Sequence, residues 1–225
     1  LAYGEASPSG TALMAGVMSK MGAFGFIMLV LPLAPDVAPA MAPAVMVLAA
    51  VSIVYGAVLA LRQAHFKQLV AYASLSHMGY IVLGVFAFQA TAAHGAMFQI
   101  LSHGLSVAGL FLMLGLLQQR CGPAYMQVNA LATRAPRFAV VLMLFVLASL
   151  ALPLSSGFTA EFMILLGAFT QGMALAHAHA GVSTLVAAMM AATGVVLGAT
   201  YMLRFARAAV FGDAGAPTAK NPAMT

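Results

Sequence analysis

The chain has no tryptophan, one cysteine and very little charge: nine basic and four acidic residues make up 6% of its 225 positions, against 64% hydrophobic residues. A soluble domain of this size could not cover its surface with so few charges. With a mean hydropathy of +1.04, the sequence reads as an all-α polytopic membrane protein. The single Cys121 excludes an intrachain disulfide framework and a multi-cysteine metal site. No glycine-rich dinucleotide fingerprint and no iron–sulfur cysteine spacing occur. A net charge of +5 invites a nucleic-acid reading, but the basic residues form no dense patch, which argues against such a partner.

What is present is a series of apolar runs. Six are expected to cross a bilayer: Gly10 to Leu33, Ala40 to Leu61, Lys67 to Phe88, Ala92 to Leu117, Phe138 to Phe169, and Val182 to Arg207. Each is long enough at about 1.5 Å per residue. The fifth exceeds the roughly 20 residues one crossing needs. It also contains Pro153-Leu-Ser155-Ser156-Gly157, so it is expected to be a discontinuous helix. The domain plan is a loop at 1–9, a membrane domain at 10–207 and a polar tail at 208–225, as a fragment of a longer protein.

Orientation follows the basic residues. The stretches Arg62 to Lys67, Arg120 to Arg137, and Arg204 onward hold eight Lys and Arg, whereas the loops at Pro35 to Pro39, Gln89 to Thr91 and Gln171 to Gly181 hold none. The basic side, with both ends of the chain, is expected to be cytoplasmic. Glycines such as Gly16, Gly22, Gly25, Gly79, Gly84, Gly104 and Gly109 mark places where helices can approach closely.

Four ionisable residues fall well inside apolar runs: Lys20, His77, His103 and Glu161. Each costs free energy there, roughly 2.5–3.5 kcal/mol for Lys or Asp at a helix centre on insertion scales. Their shared presence on four helices points to an ion or proton path. Ser74, His77 and Tyr80 lie on one helical stripe, and Gln99, His103 and Ser106 on another. Ser155 and Ser156 supply hydroxyls at the break before Glu161. Histidine titrates near neutrality and suits a shuttle. Other readings stay open: a snorkelling Lys20, histidines as interhelical glue, bis-histidine heme ligation, or a static Lys20–Glu161 pair. His177-Ala-His179 is too sparse for a metal site, and His65 and His94 are expected to be solvated.

Several of these stretches also carry a family likeness. Gly10-Thr-Ala-Leu-Met-Ala-Gly-Val-Met-Ser-Lys20, Lys67-Gln-Leu-Val-Ala-Tyr-Ala-Ser-Leu-Ser-His77-Met-Gly-Tyr80, Leu101-Ser-His103-Gly and Gly157-Phe-Thr-Ala-Glu161 resemble, in order, motifs of the antiporter-like membrane subunits of respiratory complex I. Glutamate at 161, where other branches carry lysine, resembles the M-type branch. The likeness implies proton translocation, with Lys20 as a central lysine, His77 as a connecting group, His103 as an associated histidine and Glu161 as a terminal acid. It also implies other membrane subunits as partners. NAD, FMN, iron–sulfur clusters and quinone are expected in those partners and none in this chain. A bacterial inner membrane is the implied location. A sodium/proton antiporter subunit or a membrane-bound hydrogenase subunit is the alternative. Two departures stand out: Leu154-Ser155 replaces an expected glycine, and the opening Leu1-Ala-Tyr-Gly-Glu5 replaces the family's usual loop.

Overall fold

In the computed structural model, residues 6–121, 131–177 and 182–211 are described. Residues 1–5 of the expected opening loop, His179, and the tail from 212 onward lie outside that range. Helix α1 spans Pro8–Leu33, α2 Val37–Arg62, α3 Phe66–Phe86, α4 Ala90–Cys121, α5 Leu131–Arg134, α6 Pro136–Ser149, α7 Ser156–His177 and α8 Val182–Ala209. Six of these (α1 to α4, α7 and α8) are long and apolar enough to cross a membrane, and α6 is a shorter apolar helix. The expected discontinuity is therefore real: α6 and α7 are two helices separated by residues 150–155.

Local chemistry explains the boundaries. Pro8 opens α1, and the Ser7 hydroxyl accepts from the Gly10 amide, a standard arrangement for a first turn. Helix α7 restarts after the break because the Ser155 hydroxyl accepts from the Phe158 amide at 3.2 Å. The break has a steric signature. Ala151 and Leu154 adopt φ of 50° and 83°, the left-handed region that costs a residue with a Cβ about 1–2 kcal/mol. Leu154 stands where the family resemblance led one to expect glycine, and its side chain is fully exposed, so no packing offsets the strain.

One expected boundary is wrong. The fifth run was to end at Phe169, with Gln171 in a loop, yet α7 continues to His177. Gln171 Oε1 accepts from Gln89 Nε2 at 2.8 Å. That bond lets a polar residue stay in the helix, and Gly172 lies against Leu185 of α8.

Helix α2 packs along α3 and α8, and α4 packs along α7, α3 and α1. Apolar side chains cover the outward faces, among them Leu13, Val17, Met21, Phe24, Leu101 and Leu105, which suits a hydrocarbon surround. The polar residues are turned inward instead. Lys20, His77, Gln99, His103 and Glu161 are all buried.

Small residues set the closest approach of α4 to α7. A Cβ built on Gly95 would lie 2.8 Å from the Ala160 carbonyl oxygen and 2.9 Å from the Ile164 amide nitrogen. Not every glycine singled out in the sequence does this. Gly16 and Gly79 sit at crossings, whereas Gly22 and Gly25 meet nothing within 4 Å. Gly95→Leu is therefore expected to prevent α4 from seating against α7 beside Glu161, and Gly22→Leu to be tolerated. The yield of folded full-length protein in membranes measures both.

Candidate functional site

Helices α3, α4 and α7 meet where His77, Gln99, His103 and Glu161 converge. Glu161 is 4% exposed. Its Oε1 lies 2.8 Å from His77 Nδ1 and accepts from Gln99 Nε2 at 3.0 Å. A carboxylate taken out of water needs such partners, and hydrogen bonds to an ionised acceptor are among the stronger ones. The His77–Glu161 contact is also an ion pair whenever the imidazole is protonated. One proton on the shared axis thus decides between a charged pair and a neutral one.

The histidine rings touch. His77 and His103 have centroids 4.7 Å apart at an interplanar angle of 38°. This contact leaves no gap for a porphyrin between them, so bis-histidine heme ligation by this pair does not fit. Among the described residues no group of three His, Cys, Asp or Glu side chains is arranged to hold a metal ion.

Lys20 is buried but not in the cluster. Its ammonium donates to the Ala15 carbonyl and to Ser19 Oγ, the latter at 3.1 Å. The Ser19 hydroxyl donates to the same carbonyl at 2.8 Å. This arrangement depends on a π-helical turn at Met14–Met18, where the Ser19 amide reaches back to the Met14 carbonyl. Such turns are uncommon and interrupt the α-helical ladder. Among the described residues Glu161 therefore pairs with His77, and the static Lys20–Glu161 pair is not formed. Lys20 is nevertheless close to the histidine helix: a Cβ on Gly16, one turn away, would lie 3.2 Å from the Gly104 carbonyl.

The supporting polar residues divide into two groups. Gln99 joins the site directly. Ser156 Oγ is 2.7 Å from Ser102 Oγ, linking the break to α4. Tyr80 instead donates to the Ala191 carbonyl at 2.7 Å, and Ser106 to the Ser102 carbonyl at 2.8 Å. Ser155 caps α7 as described above. Ser74 is buried on α3. Tyr80 and Ser155 are thus engaged in holding helices.

Three neighbours carried no signal that sequence reasoning used. Tyr201 of α8 places its hydroxyl 3.4 Å from His77 Nε2, opposite the Glu161 contact. Ser102 precedes His103 on α4, and Ser149 ends α6. Ser102 was findable, since Ser102 and Ser106 are four residues apart next to a buried histidine. Tyr201 was not, because only the packing of α8 on α3 brings it there.

Set beside known proteins, residues 1–177 match the family described as NADH:quinone oxidoreductase/Mrp antiporter, transmembrane region. The chain belongs to this family. It is 37% identical over 213 residues to NADH-quinone oxidoreductase subunit M of Rickettsia typhi, covering 94% of this chain and 41% of that relative. It superimposes on a chain of respiratory complex I from Thermus thermophilus with a TM-score of 0.82 at 33% identity, covering 96% of this chain and 44% of the other. A chain of the Mrp complex from a Dietzia species gives a TM-score of 0.82 at 25% identity over 94% of this chain and 38% of that one. The chain thus spans about two fifths of the length of the relatives it matches. It is an integral membrane protein of the complex I/Mrp antiporter-like fold.

His77→Ala would strand the Glu161 carboxylate with Gln99 alone. Leaving a buried polar group without its hydrogen-bond partner costs about 1–3 kcal/mol, and more for a charged one, so this variant should melt below the parent protein. The double variant His77→Ala/Glu161→Gln removes the charge as well and should recover most of the loss. Thermal denaturation of the purified full-length protein gives both values. Equal melting of the single and double variants would contradict the pairing.

Proposed function

We propose that this chain forms part of a proton-translocating membrane subunit of an NADH:quinone oxidoreductase, and that its protons move along His103, His77 and Glu161 under the influence of Lys20. The observation that carries this reading is the buried Glu161 carboxylate held by His77 and Gln99 beside a helix break. A purely structural acid needs no break, and intramembrane acids are retained chiefly for ion movement. The M-type relatives support the assignment to this kind of complex.

The chemistry is proton exchange between neighbouring groups. As protonated His103 loses a proton, His77 gains one at Nε2 and gives its Nδ1 proton to Glu161, so that the cationic imidazole and the carboxylate both end neutral. The ring thereby swaps tautomer without turning. Lys20 acts through its field: a change in its charge or position alters how readily the nearby imidazoles hold a proton. Redox chemistry, with NAD, FMN, iron–sulfur clusters and quinone, belongs to partner subunits. The distribution of Lys and Arg supports a cytoplasmic side for the basic loops, and the bacterial relatives support a bacterial inner membrane as the location.

A second reading is a sodium/proton antiporter subunit, favoured by the equally good superposition on the Mrp chain. The two differ in their driving force. In the assembled complex in proteoliposomes, Glu161→Gln and Lys20→Ala are each expected to lower proton translocation per NADH oxidised while assembly is retained. Unchanged stoichiometry in both variants would overturn the proposal. Sodium-dependent proton flux without NADH would favour the antiporter.

A further inference from the structure

The arginines at the basic end of the bundle take no part in the proton path. Arg62 closes α2, and Arg204 and Arg207 lie in the last turns of α8; all three are exposed. Arg204 reaches across to the neighbouring helix. Its Nη1 donates to the Leu61 carbonyl in the last turn of α2, where a cation suits the helix dipole. That bond uses one nitrogen of a guanidinium with several N–H donors, and it carries the charge to the end of α2 that bears Arg62. No carboxylate of a described residue lies at this end. Asp36 precedes α2 at its other end, and Glu161 is buried against His77. An anion for these arginines has to come from outside the described residues.

The two helices also share an apolar exterior. On α2, Val51, Tyr55 and Val58 recur every three or four residues up to Arg62, each at least 40% exposed. On α8, Val196 and Leu203 are exposed on the stripe that ends in Arg207. The opposite faces are used in packing: Ile53 of α2 is fully buried, and a Cβ on Gly194 of α8 would collide with its side chain. The exposed stripes therefore look outward from the bundle. From Arg62 back to Val51, and from Arg207 back to Val196, each helix rises about 16 Å at about 1.5 Å per residue. One leaflet of the roughly 30 Å hydrocarbon core has about that depth. Charge at the level of the headgroups thus continues into apolar surface as long as an acyl chain.

We propose that the basic ends of α2 and α8 form a binding site for one anionic phospholipid of the bilayer, its phosphate held by Arg62, Arg204 and Arg207 and an acyl chain laid along the outward stripes. The guanidinium fork matches phosphate oxygens in pairs, which the point charge of a lysine does not. The Leu61 carbonyl holds Arg204 in place before the lipid arrives, so less side-chain freedom is lost on binding. A free phosphate would meet the arginines but leave the apolar stripes unused. A zwitterionic lipid would bring its own cation to the same three charges. The bound lipid ties the end of α2 to α8, as Arg204 does. The site lies at the membrane surface and is independent of the proton path, so either can fail without the other.

The test uses the complete complex in lipid nanodiscs, with photoactivatable phosphatidylglycerol as the anionic probe and photoactivatable phosphatidylcholine as the zwitterionic one. Phosphatidylglycerol is expected to label the peptides at 51–62 and 196–207 well above phosphatidylcholine at equal content. Each basic residue near an anionic lipid contributes about fivefold in affinity. At limiting probe, Arg207→Gln should therefore lower the labelling about fivefold, and Arg62→Gln/Arg207→Gln about 25-fold. Arg62→Lys/Arg207→Lys keeps the charge without the fork and should fall between the parent and the double Gln variant. Arg207 is exposed, so its single variant should assemble normally and is decisive by itself. Equal labelling by the two probes would mean that ordinary bilayer lipid covers the face, and would overturn the proposal. Labelling by neither would overturn it too, since another polypeptide would then cover the face. Preferential labelling that survives in both Gln variants would overturn the assignment to these arginines.

Discussion

A carboxylate inside a membrane is the constraint on which the rest of this structure depends. Glu161 is placed where hydrocarbon would surround it unless protein intervened. His77 from α3 and Gln99 from α4 both reach its Oε1, so three helices must meet within hydrogen-bond distance. That demand explains the close packing around it. Gly95 lets α4 lie against the α7 backbone at Ala160, immediately before Glu161. Tyr80 ties α3 to the Ala191 carbonyl of α8 one turn from His77. The polar groups that do not touch the acid mostly hold the helices that do.

The break before Glu161 serves the same end at a local cost. Residues 150–155 leave the helical ladder, and two of them, Ala151 and Leu154, take left-handed backbone angles without being glycine. Strain of this kind clusters at functional sites. Here it leaves Ser149 and Ser102 lining a small cavity beside the acid. Lys20 follows a comparable design on α1. A π-helical turn turns the Ala15 carbonyl toward its ammonium, so the charge is satisfied within its own helix. The influence on His103 proposed for it would therefore work over distance and not through a contact.

Much of this was legible in the sequence because burial of charge in an apolar run is costly and therefore visible. Lys20, His77, His103 and Glu161 stood out on that ground alone, and Gln99 followed from its spacing to His103. The discontinuous helix was legible from Pro153 to Gly157 within a run too long for one crossing. Partner choice was not. Spacing shows which residues share a face but not what that face meets, so the sequence offers Tyr80 and Ser155 as supporting polar residues without showing that Tyr80 ties α3 to α8 and Ser155 caps α7. Tyr201 and Ser149 were invisible for the converse reason: a tyrosine or serine in an apolar run is inexpensive, and only tertiary packing puts it beside a histidine. The end of α7 was misjudged because the Gln89–Gln171 bond joins residues far apart in the chain.

The central claim is that Glu161 changes protonation as protons pass. Infrared difference spectroscopy of the assembled complex during NADH turnover tests it most directly. The account predicts a protonated-carboxyl C=O stretch that appears and decays with turnover, shifts in heavy water and is missing in Glu161→Gln. A spectrum of the parent complex with no carboxyl band dependent on Glu161 would mean that the carboxylate stays ionised throughout, and would contradict the account.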